Sequence, residues 1–177
     1  MAYPVLPHWI DGKPSTAPAD RVGDIFNPAT GEKIAKVAYA NPGQVDTAVE
    51  SARMAGLAWA QVPVTRRSQV FFRFRSLLAE HATELAQMIS KEHGKTVDDA
   101  RGEIARGLEV VEIACGIPQL LKGELSANVS TGVDLTTVRE PLGVVAGITP
   151  FNFPAMVGLW MYPVAIACGN TFVLKPS

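Results

Sequence analysis

The sequence predicts an α/β fold: a parallel sheet with covering helices. Three observations carry that prediction. Residues 141–177 read as an apolar strand, a helix and a second apolar strand. No proline falls between Pro63 and Pro118, which permits long helices. Residues 1 to about 40 alternate short β-prone runs with turn pairs.

In chain order, His8-Trp9-Ile10 runs into Asp11-Gly12, a hairpin turn pair. Phe26 to Gly31 is a second turn, leading into a strand over 33–39. Asn41-Pro42-Gly43-Gln44 starts a helix: Asn41 caps, Pro42 suits the first position, and Gln44 completes a box. Val45, Ala48, Val49, Ala52 and Ala55 are its expected packing face. Val70, Phe71, Phe74, Leu77, Leu78, Leu85, Met88 and Ile89 recur at helical spacing up to a stop at Gly94. A further helix over 98–115 carries Ile104, Leu108, Val111 and Cys115 on its apolar stripe, with Glu103, Arg106 and Glu112 expected off it. Residues 124–140 favour β structure around Gly132 and hold too little apolar surface for a core strand, so they suit an exposed hairpin or a subunit contact.

In the last segment Val144 to Ile148 is all apolar, as expected of a strand buried on both faces. Thr149 to Pro154 is a rigid turn, Ala155 to Cys168 a helix holding Pro163, and Thr171 to Leu174 a second buried strand. The right-handed crossover makes the two strands parallel. Ligands in such folds sit beyond the carboxyl ends of the strands, which here hold Thr149 to Asn152 and Lys175. A doubly covered parallel sheet needs more than two strands, so the segment is expected to be the front part of a larger protein.

Composition narrows the function classes. The 177 residues hold 16 Lys+Arg against 17 Asp+Glu, a net charge of -1, with 47% hydrophobic residues. Such a chain buries a core, and disorder is excluded. With so little net charge, neither nucleic acid nor an anionic membrane is the main partner. Residues 141–174 carry no charge, yet Pro141, Pro150, Pro154 and Pro163, with Asn152 and Asn170, leave no apolar run of the ~18 residues a membrane span needs. The start MAYPVLPHWIDG lacks the basic and apolar regions of a signal peptide, so a cytoplasmic location is expected.

Several motifs fall away. Gly94-Lys95-Thr96 lacks the upstream glycine of a phosphate loop and reads as a helix stop followed by a cap. His8, His81 and His93 share no metal-ligand spacing, so no metal is expected. Cys115 and Cys168 sit among apolar residues, where a free cysteine is inert core. Pro150-Phe151-Asn152-Phe153-Pro154 differs from these. It is either a simple turn whose Asn152 caps a helix, or a proline-braced amide held still for charge developing on a substrate oxygen. Lys175 is either a solvated strand end or a cation placed for a nucleotide's ribose or phosphate.

At these residues the chain resembles the aldehyde dehydrogenase superfamily, which carries a P-W-N-F-P segment and, about two dozen residues on, K-P-[SA]. Here these are Pro150–Pro154, with Phe151 in place of the usual tryptophan, and Lys175-Pro176-Ser177. FNPATGE (26–32) and REPLGVV (139–145) extend the resemblance over nearly the whole chain. HGKT (93–96) and RGLEVVE (106–112) make it similar to the CoA-acylating methylmalonate-semialdehyde dehydrogenase branch.

The resemblance implies the amino-terminal part of a Rossmann-like fold. Residues 1–123 would be strands and helices of the NAD-binding domain, 124–140 an oligomerisation hairpin, and 141–177 the first βαβ unit, with the catalytic domain absent. It implies NAD as cofactor, CoA as co-substrate, a malonate or methylmalonate semialdehyde as substrate, and a homo-oligomer, dimer or tetramer. Thr149 and Phe151 would line the cofactor channel, Lys175 would bind the adenosine ribose, and Asn152 would donate to the oxyanion of the thiohemiacetal. Arg106 would recognise the substrate's own carboxylate; without the resemblance it reads as a solvated arginine paired with Glu103, Glu109 or Glu112. The nucleophilic cysteine lies beyond Ser177 in the family pattern, so these residues alone are expected to be inactive. The alternative is a non-catalytic module that binds NAD or pairs with another subunit.

Overall fold

The computed structural model describes residues 3–177; Met1 and Ala2, the start of the stretch read for a signal peptide, lie outside the described residues. Strands β1 (Val5–Leu6), β4 (Arg21–Phe26) and β5 (Lys33–Tyr39) form one sheet in the order β1-β5-β4, with β1 parallel and β4 antiparallel to β5. β2 (Trp9–Ile10) and β3 (Lys13–Pro14) make the small hairpin that Asp11-Gly12 predicts; both turn residues have positive φ.

Helix α1 (Pro42–Trp59) starts at the capping box. Asn41 Oδ1 accepts from the Gln44 N–H at 2.9 Å, and Gln44 Oε1 accepts from the Asn41 N–H at 3.0 Å. Its packing face is not the expected one. Ala48 and Ala52 are half-buried, but Val45, Val49 and Ala55 face solvent, while Gly56 meets Thr171 and Trp59 bonds to the Ile166 carbonyl. The helix rotates so that its small residues lie on the strand it covers.

The apolar pattern over 70–89 is divided between α2 (Val64–Glu80) and α3 (Ala82–His93), which break at His81. Gly94 ends α3 with φ 89°, a left-handed stop open to glycine. Thr96 then caps α4 (Val97–Cys115), its hydroxyl accepting from the Asp99 N–H at 3.2 Å, and Asp98 and Asp99 sit in the first turn where the helix dipole favours acids. The stop-then-cap reading of Gly94-Lys95-Thr96 therefore holds. A short turn of helix, α5 (Ile117–Leu120), follows.

β6 (Leu125–Ser130) and β7 (Val133–Thr136) form an antiparallel hairpin exposed along its whole length. β8 (Val144–Ile148), α6 (Met156–Ala167) and β9 (Thr171–Lys175) form the predicted unit, with parallel pairing from Val144↔Thr171 to Ile148↔Lys175. Thr171 meets α1 and Phe172 meets Tyr162 of α6, so helices cover opposite faces of the pair. Burial is less complete than the apolar runs imply. Gly147 is buried, but Ile148 is 76% exposed, because the described residues supply only two strands to this sheet.

The core lies between the helices. Leu78, Ile89, Ile104, Val111 and Leu159 form one buried cluster, and Phe71, Ala114, Cys115, Ile117 and Ala167 another. α4 and α6 approach closely because Gly107 offers no side chain; a Cβ there would collide with Leu159. Among the described residues no helix is long and apolar enough to cross a membrane.

Candidate active site

The carboxyl ends of β8 and β9 bring most of the anticipated residues to one edge. The Thr149 N–H donates to the Lys175 carbonyl at 3.1 Å, continuing the ladder one residue past the strand and fixing the two positions side by side. Thr149 is only 4% exposed, and its buried hydroxyl has no hydrogen-bond partner among the described residues. Phe151 is 79% exposed, and Asn152 and Lys175 face solvent. No described residue hydrogen-bonds to the Asn152 side chain, so its amide is free to donate outward.

The backbone beneath Asn152 is held firmly. Lys95 Nζ donates to the Asn152 carbonyl at 2.8 Å and lies 4.5 Å from the centre of the Phe153 ring. The same ammonium pairs with Glu103 Oε2 at 2.7 Å, and Glu103 Oε1 accepts from the N–H groups of Ala155 and Met156 at 2.8 and 3.0 Å. Residues 152–156 are thus fixed at three backbone atoms by one ion pair.

Arg106 stands on α4 with its guanidinium 5.5 Å from the Phe153 ring centre, on the ring that also receives Lys95. Its Nε donates to the Gly102 carbonyl at 3.2 Å, and no carboxylate among the described residues pairs with it. The alternative of a pairing with Glu103, Glu109 or Glu112 is not realised among the described residues: Glu103 serves Lys95, Glu112 binds Arg75 at 2.8 Å, and Glu109 forms no ion pair with Arg106. An exposed guanidinium with no carboxylate partner among the described residues, beside the Asn152 segment, is chemically able to receive an anion.

Both cysteines lie away from this edge. Cys115 is buried in the second core cluster, and Cys168 follows α6 at its opposite end. Burial pushes the Cys115 thiol up, with the Glu112 carboxylate adding to it; burial also raises Cys168, although the Arg67 guanidinium pulls the other way. Neither has the depressed pKa of a nucleophile.

Reading by pattern misses Glu103 and Lys95. The spacing puts Glu103 off the apolar stripe, yet it is fully buried. The buried face of α4 includes Ile104, Val111 and Cys115 of the predicted stripe but extends to one side of it through Ala100, Glu103, Gly107 and Ala114, while Leu108 is only partly buried. Ala100 and Gly107, small residues three before and four after Glu103, are the available signal that a neighbour approaches on this side.

Comparison with known proteins bears on the family of the chain. The chain is 53% identical over 172 residues to a malonate-semialdehyde dehydrogenase of Pseudomonas aeruginosa, covering 97% of this chain and 34% of that protein. It is 46% identical to the mitochondrial acylating methylmalonate-semialdehyde/malonate-semialdehyde dehydrogenase of Mus musculus, covering 99% of this chain and 33% of the relative. A Sinorhizobium meliloti 1021 structure complexed with NAD, assigned as a methylmalonate-semialdehyde dehydrogenase, superposes with a TM-score of 0.95 at 50% identity, over 99% of this chain and 36% of that one. The chain therefore spans about a third of the length of these relatives. The profile of the aldehyde dehydrogenase family matches residues 15–177, and the chain belongs to that family.

Proposed function

We propose that these residues serve as the amino-terminal third of a dehydrogenase that oxidises malonate or methylmalonate semialdehyde with NAD and passes the acyl group to CoA. One observation carries the reading. A free Asn152 amide stands on a pinned backbone, next to an Arg106 that has no carboxylate partner among the described residues. An aldehyde oxygen gaining negative charge needs a fixed donor, and a semialdehyde also presents a carboxylate. Asn152 supplies the first need and Arg106 the second. The names of the relatives support both the substrate class and the acylating step.

The residues at the strand ends suit NAD. Thr149 has a buried hydroxyl still lacking a partner among the described residues, Phe151 offers an exposed ring, and Lys175 is the cation at the edge. When bound, NAD supplies the hydride acceptor. Thr149, Phe151 and Lys175 hold and orient it, and Asn152 and Arg106 hold the aldehyde. In this reading residues 1–123 and 141–177 belong to the NAD-binding domain, and the exposed hairpin at 124–140 is a subunit contact.

In the longer dehydrogenase, Arg106→Ala should raise KM for methylmalonate semialdehyde roughly tenfold to a hundredfold, the scale of a hydrogen bond to a charged group at about 1.5–3 kcal/mol. KM for propanal, which has no carboxylate, should hardly change. An equal effect on both substrates would remove Arg106 from substrate recognition.

A second reading has its own support. Cys115 is buried and Cys168 partly buried, and burial raises both thiols, which argues against either as a nucleophile. Taken alone, the 177 residues would bind the nucleotide or pair with another subunit without turnover. Calorimetric NAD titration of the 177-residue chain, alongside an assay for NADH formation, separates binding from catalysis.

A further inference from the structure

We infer that Lys95 and Glu103 form a positioning pair whose task is to hold Asn152 where its amide can meet the developing oxyanion. The inference rests on the role proposed above for Asn152. Neither residue touches an aldehyde in this scheme; both act through the backbone of 152–156.

The geometry is specific to that task. Glu103 is 0% exposed, and a fully buried carboxylate persists only when paired and hydrogen-bonded. Its two oxygens divide the work. One accepts from two amides at the start of α6, Ala155 and Met156, and the other takes the Lys95 ammonium. Lys95, itself nearly buried, spends a second donor on the Asn152 carbonyl. A carboxylate meant only to cap α6 would need the first oxygen alone. The second oxygen and the lysine extend the hold three residues upstream, onto the peptide of the very residue whose side chain is left free. The Phe153 ring closes the arrangement, with the ammonium of Lys95 and the guanidinium of Arg106 both against it. The α6 amino terminus, elsewhere a ready site for a ligand phosphate, here offers Ala155 and Met156 to an internal carboxylate.

Displacing a reacting group by about 1 Å costs on the order of a hundredfold in rate. Lys95→Met removes the hold on the Asn152 carbonyl and should lower kcat of the longer dehydrogenase roughly tenfold to a hundredfold. The NAD dissociation constant should stay within about twofold, and the pH–rate profile should fall in parallel without a moved inflection, since no proton passes through the pair. Lys95→Arg, which keeps the charge and donors, should recover part of the loss.

The deciding measurement is a double-mutant cycle on kcat with Asn152→Ala. In the Asn152→Ala background Lys95→Met should cost about twofold or less, because nothing remains to be positioned. An equal loss in both backgrounds would make the pair a structural support and overturn the inference while the role of Asn152 stands. An Asn152→Ala enzyme with undiminished kcat would overturn that role and the inference with it. Should Lys95→Met fail to fold, with Glu103 stranded as a buried charge, the pair Lys95→Met/Glu103→Gln removes the charge and keeps an acceptor for the α6 amides. The same cycle then applies to that pair: a loss confined to the Asn152 background supports the inference, and an equal loss in both overturns it.

Discussion

The two ends of α6 solve one problem in different ways. The helix has no charged residue of its own, and both ends are buried, so its terminal N–H and C=O groups must find partners from other elements. At the amino end Glu103 of α4 accepts from two amides. At the carboxyl end Arg67 of α2, 7% exposed, donates to the Ala167 carbonyl at 3.0 Å and to the carbonyls of Ala60 and Val62 at 3.4 and 2.9 Å. Trp59 bonds to Ile166 at 2.8 Å, and Asn170 to Ala165 at 3.0 Å. Anion at the start and cation at the finish is the order the helix dipole favours. The amino end places its counter-charge, Lys95, on the Asn152 loop. The carboxyl end has no counter-charge at Arg67 among the described residues and spreads one guanidinium over backbone carbonyls of α6 and the segment after α1. One end joins packing to the candidate site, while the other only joins helices to one another.

That contrast can be broken at either end. Glu103→Ala should have the largest effect on stability, about 3–5 kcal/mol, because it strands the Lys95 ammonium in a buried site and leaves two amides without an acceptor. Urea midpoints of the variant and the parent would measure it, and a loss under about 1 kcal/mol would mean water replaces the carboxylate freely. Arg67→Met should follow at about 2–4 kcal/mol, for three carbonyl bonds lost with no opposite charge stranded. Asn152→Ala closes the series, within about 0.5 kcal/mol, since its side chain is exposed and bonds to nothing described. Equal losses at Glu103 and Asn152 would place the side chain of Asn152, and not only its backbone, in the structural network.

Much of the local structure is legible without coordinates. The Asn41 box, the Gly94 stop, the Thr96 cap and the Asp11-Gly12 turn are each decided by side chains within four residues of the backbone they serve. The strand–helix–strand unit is legible for a related reason, because few connections join two parallel strands across so short a segment. The edge holding Thr149, Phe151, Asn152 and Lys175 follows from that topology alone. Arg106 is different: composition and spacing leave it a surface arginine, and the family resemblance singles it out.

The residues misread are those whose partners are distant in sequence. Val45 and Val49 look like the packing face of α1, yet β9 and the end of α6, more than a hundred residues on, turn the face with Gly56 and Trp59 inward. Glu103 looks like one more surface acid, because a carboxylate at a helical position has the same pattern whether water or amides 52 residues away satisfy it. The sequence by itself determined the capped and glycine-stopped ends and the strand–helix–strand crossover, though not the break at His81, since those ends depend on neighbouring dihedrals and hydrogen bonds. Only the tertiary structure decided which charges lie inside, because the cost of burying Glu103 or Arg67 is met by backbone groups that folding alone brings within reach.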